Sequence, residues 1–135
     1  MKDGWYSRPV LFVKNVERAI AFYRDQLAFV EGQRYEEDGT VLLGEVSRGD
    51  CTLLLNCQQP DKIGHGRIFI SLGPGMIDGL RAEFERRGTP IRDGWWGYDT
   101  MIIDDPDGNE LFFPILHQAK AAERDLGLIS TQSGR

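Results

Sequence analysis

One order of strand and helix patterns occurs twice along this 135-residue chain, and that repeat constrains the fold more than any other feature. A short apolar run at residues 9–13 (PVLFV) predicts a buried strand. The segment VERAIAFYRDQL (16–27) then places apolar residues three and four positions apart, which predicts a helix with one apolar face. Three strand patterns joined by tight turns follow, up to residue 57. The first unit is therefore β-α-β-β-β.

The second unit has the same order. RIFISL (67–72) predicts a strand, and residues 76–87 predict a helix that ends at Gly88, a residue favoured just beyond a helix C-terminus. Strand patterns follow at 91–95, 100–103 and 110–114. In the turn before the last strand, Asp104, Asp105 and Asp107 are interpreted as capping residues rather than as catalytic carboxylates.

Equivalent positions of the two units lie at a nearly constant distance along the sequence. Arg8 and Arg67 head the first strands and are 59 positions apart, whereas Leu54 and Phe112 in the last strands are 58 apart. A fixed offset of this kind marks an internal repeat. We predict an α+β fold in one domain, divided into module one (about 5–58), a polar linker (59–66), module two (about 67–116) and a tail (117–135). The tail begins with a short helical pattern, LHQAKAAERDL (116–126).

Charge and cysteine content exclude several classes of protein. The net charge is −5, from 16 basic and 21 acidic residues, which argues against nucleic acid or an anionic membrane as partner. The chain has no apolar stretch of membrane-spanning length and no signal-peptide pattern, so we expect a cytoplasmic protein. Cys51 and Cys57 share one predicted strand, roughly 20 Å apart. A disulfide requires Cα atoms within about 7 Å, so both should be reduced core residues.

Two segments carry a resemblance to a known family: PVLFVKNVERAIAFYRDQLAF (9–29) and DDPDGNELFF (104–113). Together with the repeat, they resemble the vicinal-oxygen-chelate superfamily, which includes glyoxalase I, extradiol dioxygenases and bleomycin-resistance proteins. The resemblance implies two βαβββ modules that form one cupped, mostly antiparallel sheet with helices outside. Ala28 departs from the pattern, because the family usually has glycine there.

In this family each module contributes two metal ligands, from its first and last strands. The corresponding positions here are Arg8, Leu54, Arg67 and Phe112. Arginine is a permanent cation without a lone pair to donate, and leucine and phenylalanine offer no donor atom. We therefore expect no metal and no other cofactor. The alternative is a site displaced by one pleat of the strands, which would use His65 and Glu110.

Aromatic and basic residues are candidates for holding a ligand instead: Arg8, Arg67, Trp95, Trp96, Tyr98 and Phe112. Trp95, Trp96 and Tyr98 precede the last hairpin, and one of the tryptophans is hypothesised to stack on a planar or cationic molecule. Adjacent strand residues face opposite ways, so only one of them can enter the cleft directly; both could instead be core or dimer contacts. Arg8 and Arg67 could bind a carboxylate or phosphate, or each could pair with a nearby acid.

Three functions remain open from the sequence. The first is a metal-free protein that binds a small organic molecule, similar to antibiotic-sequestering resistance proteins, with its cleft at a homodimer interface. The second is a metal-dependent lyase, isomerase or dioxygenase of the same superfamily with a displaced site. The third is a regulatory or partner-binding module that keeps only the fold.

Overall fold

A computed structural model describes residues 4–115 of the chain. The helices are α1 (Val16–Leu27) and α2 (Ile77–Arg86), with a single 3-10 turn at Pro60–Lys62. The strands are β1 (Val10–Phe12), β2 (Val30–Glu37), β3 (Thr40–Arg48), β4 (Cys51–Asn56), β5 (Arg67–Phe69), β6 (Arg92–Trp95), β7 (Asp99–Asp104) and β8 (Glu110–Pro114). Within residues 4–115 no helix has the length and apolar character needed to cross a membrane. The helical pattern predicted at 116–126 lies outside the described residues.

The strands confirm the predicted α+β class and the two βαβββ modules. They form two four-stranded sheets, in the orders β1-β4-β3-β2 and β5-β8-β7-β6. In each sheet the first strand of the module lies parallel to the last, and the other pairs are antiparallel. The resemblance implies one cupped, mostly antiparallel sheet, and in residues 4–115 the hydrogen-bonded strand pairing stays within each module.

Helix α1 has the predicted bounds and the predicted apolar face. Asn15 caps its N-terminus, because its side-chain oxygen accepts a hydrogen bond of 2.8 Å from the Arg18 N–H. The residues that recur at three and four positions are those that are buried: Val16, Ala19, Ile20, Tyr23 and Leu27.

Ala28 ends α1 in the left-handed region, with φ at 60° and ψ at 32°. A Cβ atom is unfavourable there, at a cost of about 1–2 kcal/mol.

We expect Ala28→Gly to raise the free energy of unfolding by about 1 kcal/mol, because glycine adopts this conformation without the steric cost. Urea unfolding at constant slope measures the change, and Ala21→Gly inside the helix is the matched control that should destabilise instead.

Strand β5 is shorter than predicted. The pattern RIFISL suggested a strand over 67–72, but pairing with β8 covers Arg67–Phe69 and ends with a hydrogen bond of 2.8 Å from the Ile70 N–H to the Phe112 carbonyl. Ile70 and Leu72 still pack against the core from a segment without strand pairing.

The two modules share one hydrophobic core. Leu11 and Leu55 of module one belong to the same buried cluster as Leu111 and Phe113 of module two, together with residues of both helices. Because side chains alternate along a strand, the residues between these point to the other side of each sheet. We call this side the helix-free face. Phe112 is buried but lies outside the shared cluster, as expected for a residue of that face.

The cysteines lie at the edge of this core. Cys51 and Cys57 are both free and both partly buried, and each packs against the cluster from its periphery. The prediction that they do not bridge is confirmed, whereas the prediction that they lie inside the core holds only in part.

Candidate ligand-binding site

The helix-free face of module one carries an ion pair at the first candidate position. The Arg8 guanidinium lies 3.4 Å from a carboxylate oxygen of Glu45 and stands over the ring of Tyr6 at 5.7 Å. Leu54 is in register with both Val10 and Glu45, so it lies on the same face. Gly32 makes room for the Glu45 carboxylate, because a Cβ atom at residue 32 would collide with it.

The helix-free face of module two carries a larger charged network. Arg67 donates to one carboxylate oxygen of Glu110 at 2.9 Å, and Arg92 donates to the other at the same distance. Arg92 also makes two hydrogen bonds of 2.7 Å to Asp104. These bonds from Arg92 hold the pKa of Asp104 below its usual value. Two arginines and two carboxylates therefore neutralise one another on this face.

These surroundings do not fit a divalent metal ion. Arg8, Leu54, Arg67 and Phe112 provide no lone pair for coordination, and both arginines are engaged with glutamates. The displaced alternative fits no better: His65 is exposed in the loop before β5, and both oxygens of Glu110 accept from arginines. Among residues 4–115 no cluster of three or more His, Cys, Asp and Glu is arranged to hold a metal.

Four aromatic side chains gather on the helix-free face of module two: Phe69, Trp96, Tyr98 and Phe112. We call them the aromatic patch. The rings of Phe69 and Trp96 are stacked, with centroids 5.6 Å apart and planes 15° apart, and Trp96 also contacts Phe112 at 4.6 Å. Phe112 is 4% exposed, but Phe69, Trp96 and Tyr98 are 41%, 50% and 40% exposed. Phe112 thus forms the floor of a patch whose other rings remain open to solvent.

Trp95 does not belong to this patch. It is in register with Asp99 at the end of β6 and is 70% exposed. Trp96 follows the strand, and its backbone N–H donates to the Tyr98 carbonyl. The indole of Trp96 contacts the ring of Phe112. The structure therefore brings Trp96, Tyr98 and Phe112 together and places Trp95 elsewhere.

Phe69 and Arg92 were missing from the candidates taken from the sequence. Phe69 could have been found, because it is two residues after Arg67 and strand alternation puts both on one face. Arg92 offered no such signal: its partners Asp104 and Glu110 lie on other strands, and their proximity depends on the register of β6, β7 and β8.

Comparison with known proteins establishes the family. Residues 5–113 match the Glyoxalase/Bleomycin resistance protein/Dioxygenase superfamily, and the chain belongs to it. A search of curated proteins finds no match to the sequence.

Solved structures share the fold at low sequence identity. The bleomycin-binding protein of Streptomyces verticillus, complexed with copper(II)-bleomycin, is 20% identical with a TM-score of 0.64, over 87% of this chain and 100% of that one. TnmS3, an antibiotic-binding protein from Streptomyces sp. CB03234, is 18% identical with a TM-score of 0.62, over 82% and 96%. Lactoylglutathione lyase from Agrobacterium tumefaciens is 20% identical with a TM-score of 0.60, over 83% and 94%. At these identities the similarity concerns the fold, which both binding proteins and an enzyme adopt.

Proposed function

We propose that this protein binds a small planar organic molecule on the aromatic patch without a metal ion. The observation that carries the proposal is the open stack of Phe69 and Trp96 over Phe112, the residue at which the family resemblance implies a metal ligand. The exposed ring of Trp96 is stacked on Phe69 and contacts the buried ring of Phe112. Phe69 and Trp96 offer a flat apolar surface to a ligand, and binding orders few additional side-chain rotamers. The antibiotic-binding relatives make a sequestered antibiotic a reasonable kind of ligand.

The charges around the patch favour a ligand without negative charge. Arg67 and Arg92 are both paired with carboxylates, so an anion would have to displace Glu110 or Asp104 to reach a guanidinium. A cation can instead approach the faces of the indole and phenyl rings. An anion site between Arg8 and Arg67 is the weaker proposal, because each arginine already has its glutamate.

We propose further that the cleft is completed by a second copy of the chain. The core that the two modules share is built from the helix-bearing sides of their sheets, which leaves the rings of the aromatic patch partly exposed. Module one of a second copy could cover the aromatic patch with the face that carries Arg8, Glu45 and Leu54. Light scattering should then give twice the mass of 15.3 kDa. A monomer at tens of micromolar protein would contradict this assembly.

A matched pair of planar probes tests the ligand proposal. We expect 9-aminoacridine, a cation at neutral pH, to quench tryptophan fluorescence saturably, and acridine-9-carboxylate to bind at least tenfold more weakly. Equal binding of the two would contradict the charge argument, and absence of binding by these and by bleomycin would contradict the patch as a site.

Metal analysis separates this proposal from an enzyme with a displaced site. We propose that the protein works in the cytoplasm. When it is purified without chelators, it should carry less than one equivalent of nickel, zinc, manganese or iron per chain. One equivalent of any of them, lost on Glu110→Gln, would favour a metal-dependent enzyme instead.

A further inference from the structure

A second concave region lies between the β3–β4 hairpin of module one and helix α2 of module two. We call it the crevice. Its volume is about 890 Å³, within the range of small-molecule pockets. Apolar side chains from both modules line it: Leu27, Phe29, Ile70, Leu72, Leu80 and Phe84. Residues of both helices line it, whereas Trp96, Tyr98 and Phe112 do not; Phe69 is the member of the aromatic patch that also borders the crevice.

The charged residues at the rim are already satisfied. Arg48 makes two hydrogen bonds of 2.9 Å to the Glu83 carboxylate and one of 2.8 Å to the Leu27 carbonyl. Glu83 also accepts from Arg87, and the hydrogen bonds from Arg48 hold its pKa below the usual value, so the pair stays ionised at neutral pH. The third charged residue of the rim, Asp50, is exposed to solvent. An ionic ligand group would therefore meet no buried unpaired charge among the residues that line the crevice.

We infer that the crevice is a second binding site for a neutral and mainly apolar organic molecule, and that it shares only Phe69 with the aromatic patch. The crevice is much larger than a single water molecule or ion. Its lining is mainly apolar, so binding of an apolar ligand is favoured because apolar surface is removed from water. We expect the ligand to be neutral because Arg48 and Glu83 already form an ion pair with each other and offer no unpaired charge to an ionic group.

Gly79 provides a way to close the crevice without touching its charged rim. It lines the crevice from α2, and apart from its sequence neighbours and the backbone of its own helix no atom lies within 4 Å of the position that a Cβ would occupy. Gly79→Phe should therefore place a ring in the open space. Gly79→Ala also raises the helix propensity at this position but does not fill the crevice, so it serves as the control.

Nile red, a neutral fluorescent dye, is the probe. We expect the full chain and Gly79→Ala to bind one dye per chain with blue-shifted emission, and Gly79→Phe to bind at least tenfold more weakly. Circular dichroism checks that Gly79→Phe is folded. Trp96→Ala should bind the dye within twofold of the parent, which separates this site from the aromatic patch.

Cys51 gives a readout that does not depend on the filling variant. It lines the crevice, whereas Cys57 does not, so Cys57→Ser leaves one informative thiol. Saturating Nile red should slow modification of Cys51 by N-ethylmaleimide at least threefold. Dye binding that Trp96→Ala abolishes and Gly79→Phe preserves would overturn the inference. A full chain that takes up no dye would also overturn it.

Discussion

Replacing Asp105 by alanine is expected to lower the free energy of unfolding by about 3 kcal/mol, because four donors lose their acceptor inside the protein. Asp105 is 4% exposed and lies in the turn between β7 and β8. One of its carboxylate oxygens accepts from the backbone N–H groups of Asp107 and Asn109, each at 2.9 Å. The other accepts from the Asn109 amide at 2.9 Å and from the Tyr23 hydroxyl at 3.1 Å.

These bonds hold the two modules together as well as the turn. Tyr23 belongs to α1 of module one, and the Asn109 amide also donates to the Phe12 carbonyl at the end of β1. Tyr23→Phe removes one of the four donors and should cost about 1 kcal/mol. Urea unfolding of the parent and both variants measures the changes. An Asp105→Ala variant as stable as Tyr23→Phe would contradict the assigned role of the carboxylate.

The same carboxyl group should make stability depend on pH. Burial raises the pKa of Asp105 above its usual value despite the hydrogen bonds that oppose the shift. The native state therefore binds this proton more tightly than the unfolded chain, and the contribution to stability falls as pH rises from the ordinary aspartate pKa through the raised one. Asp105→Asn does not titrate, so its unfolding free energy should lack this component across the same pH interval.

The order of elements was predictable because it depends on local patterns. The bounds of α1 and its buried residues follow from apolar spacing and from Asn15, whose cap geometry the structure confirms. The end of β5 was not predictable. Ile70 and Leu72 continue the alternating pattern of Arg67–Phe69, yet the segment leaves the sheet and packs on the core. An alternating pattern reports which side chains are buried, and it does not say whether backbone pairing continues.

For the candidate site, the face on which its aromatic residues lie was predictable, and the contacts of its charged residues were not. Alternation along β8 places Phe112 on the helix-free face, and adjacency of Trp95 and Trp96 already implied that one of them would point away. The partners of the arginines were not predictable, because Arg8 meets Glu45 and Arg92 meets Asp104 through strand register. The packing of the two modules against each other was not predictable either, because it depends on contacts such as Tyr23 with Asp105, 82 positions apart in sequence.

Trp96→Ala is expected to weaken binding of 9-aminoacridine by about 10- to 100-fold, which corresponds to about 1.4–2.8 kcal/mol. Half of the indole is exposed, and its ring contacts Phe112 below and Phe69 beside it, so it offers the largest open surface of the aromatic patch. Alanine removes that surface and leaves the buried Phe112 partly uncovered.

Trp95→Ala is the matched control, because it removes an equal ring next to Trp96 in sequence that has no place in the patch. Trp95 is more exposed than Trp96, at 70% against 50%, so its loss should leave both stability and binding within about twofold. Isothermal titration calorimetry measures the binding affinity of each variant without relying on tryptophan fluorescence, which the substitutions themselves change. If both alanine variants bind as tightly as the parent, a planar ligand does not rest on the patch. If Trp95→Ala is the one that loses binding, the ligand lies on the opposite side of β6, away from Phe69 and Phe112.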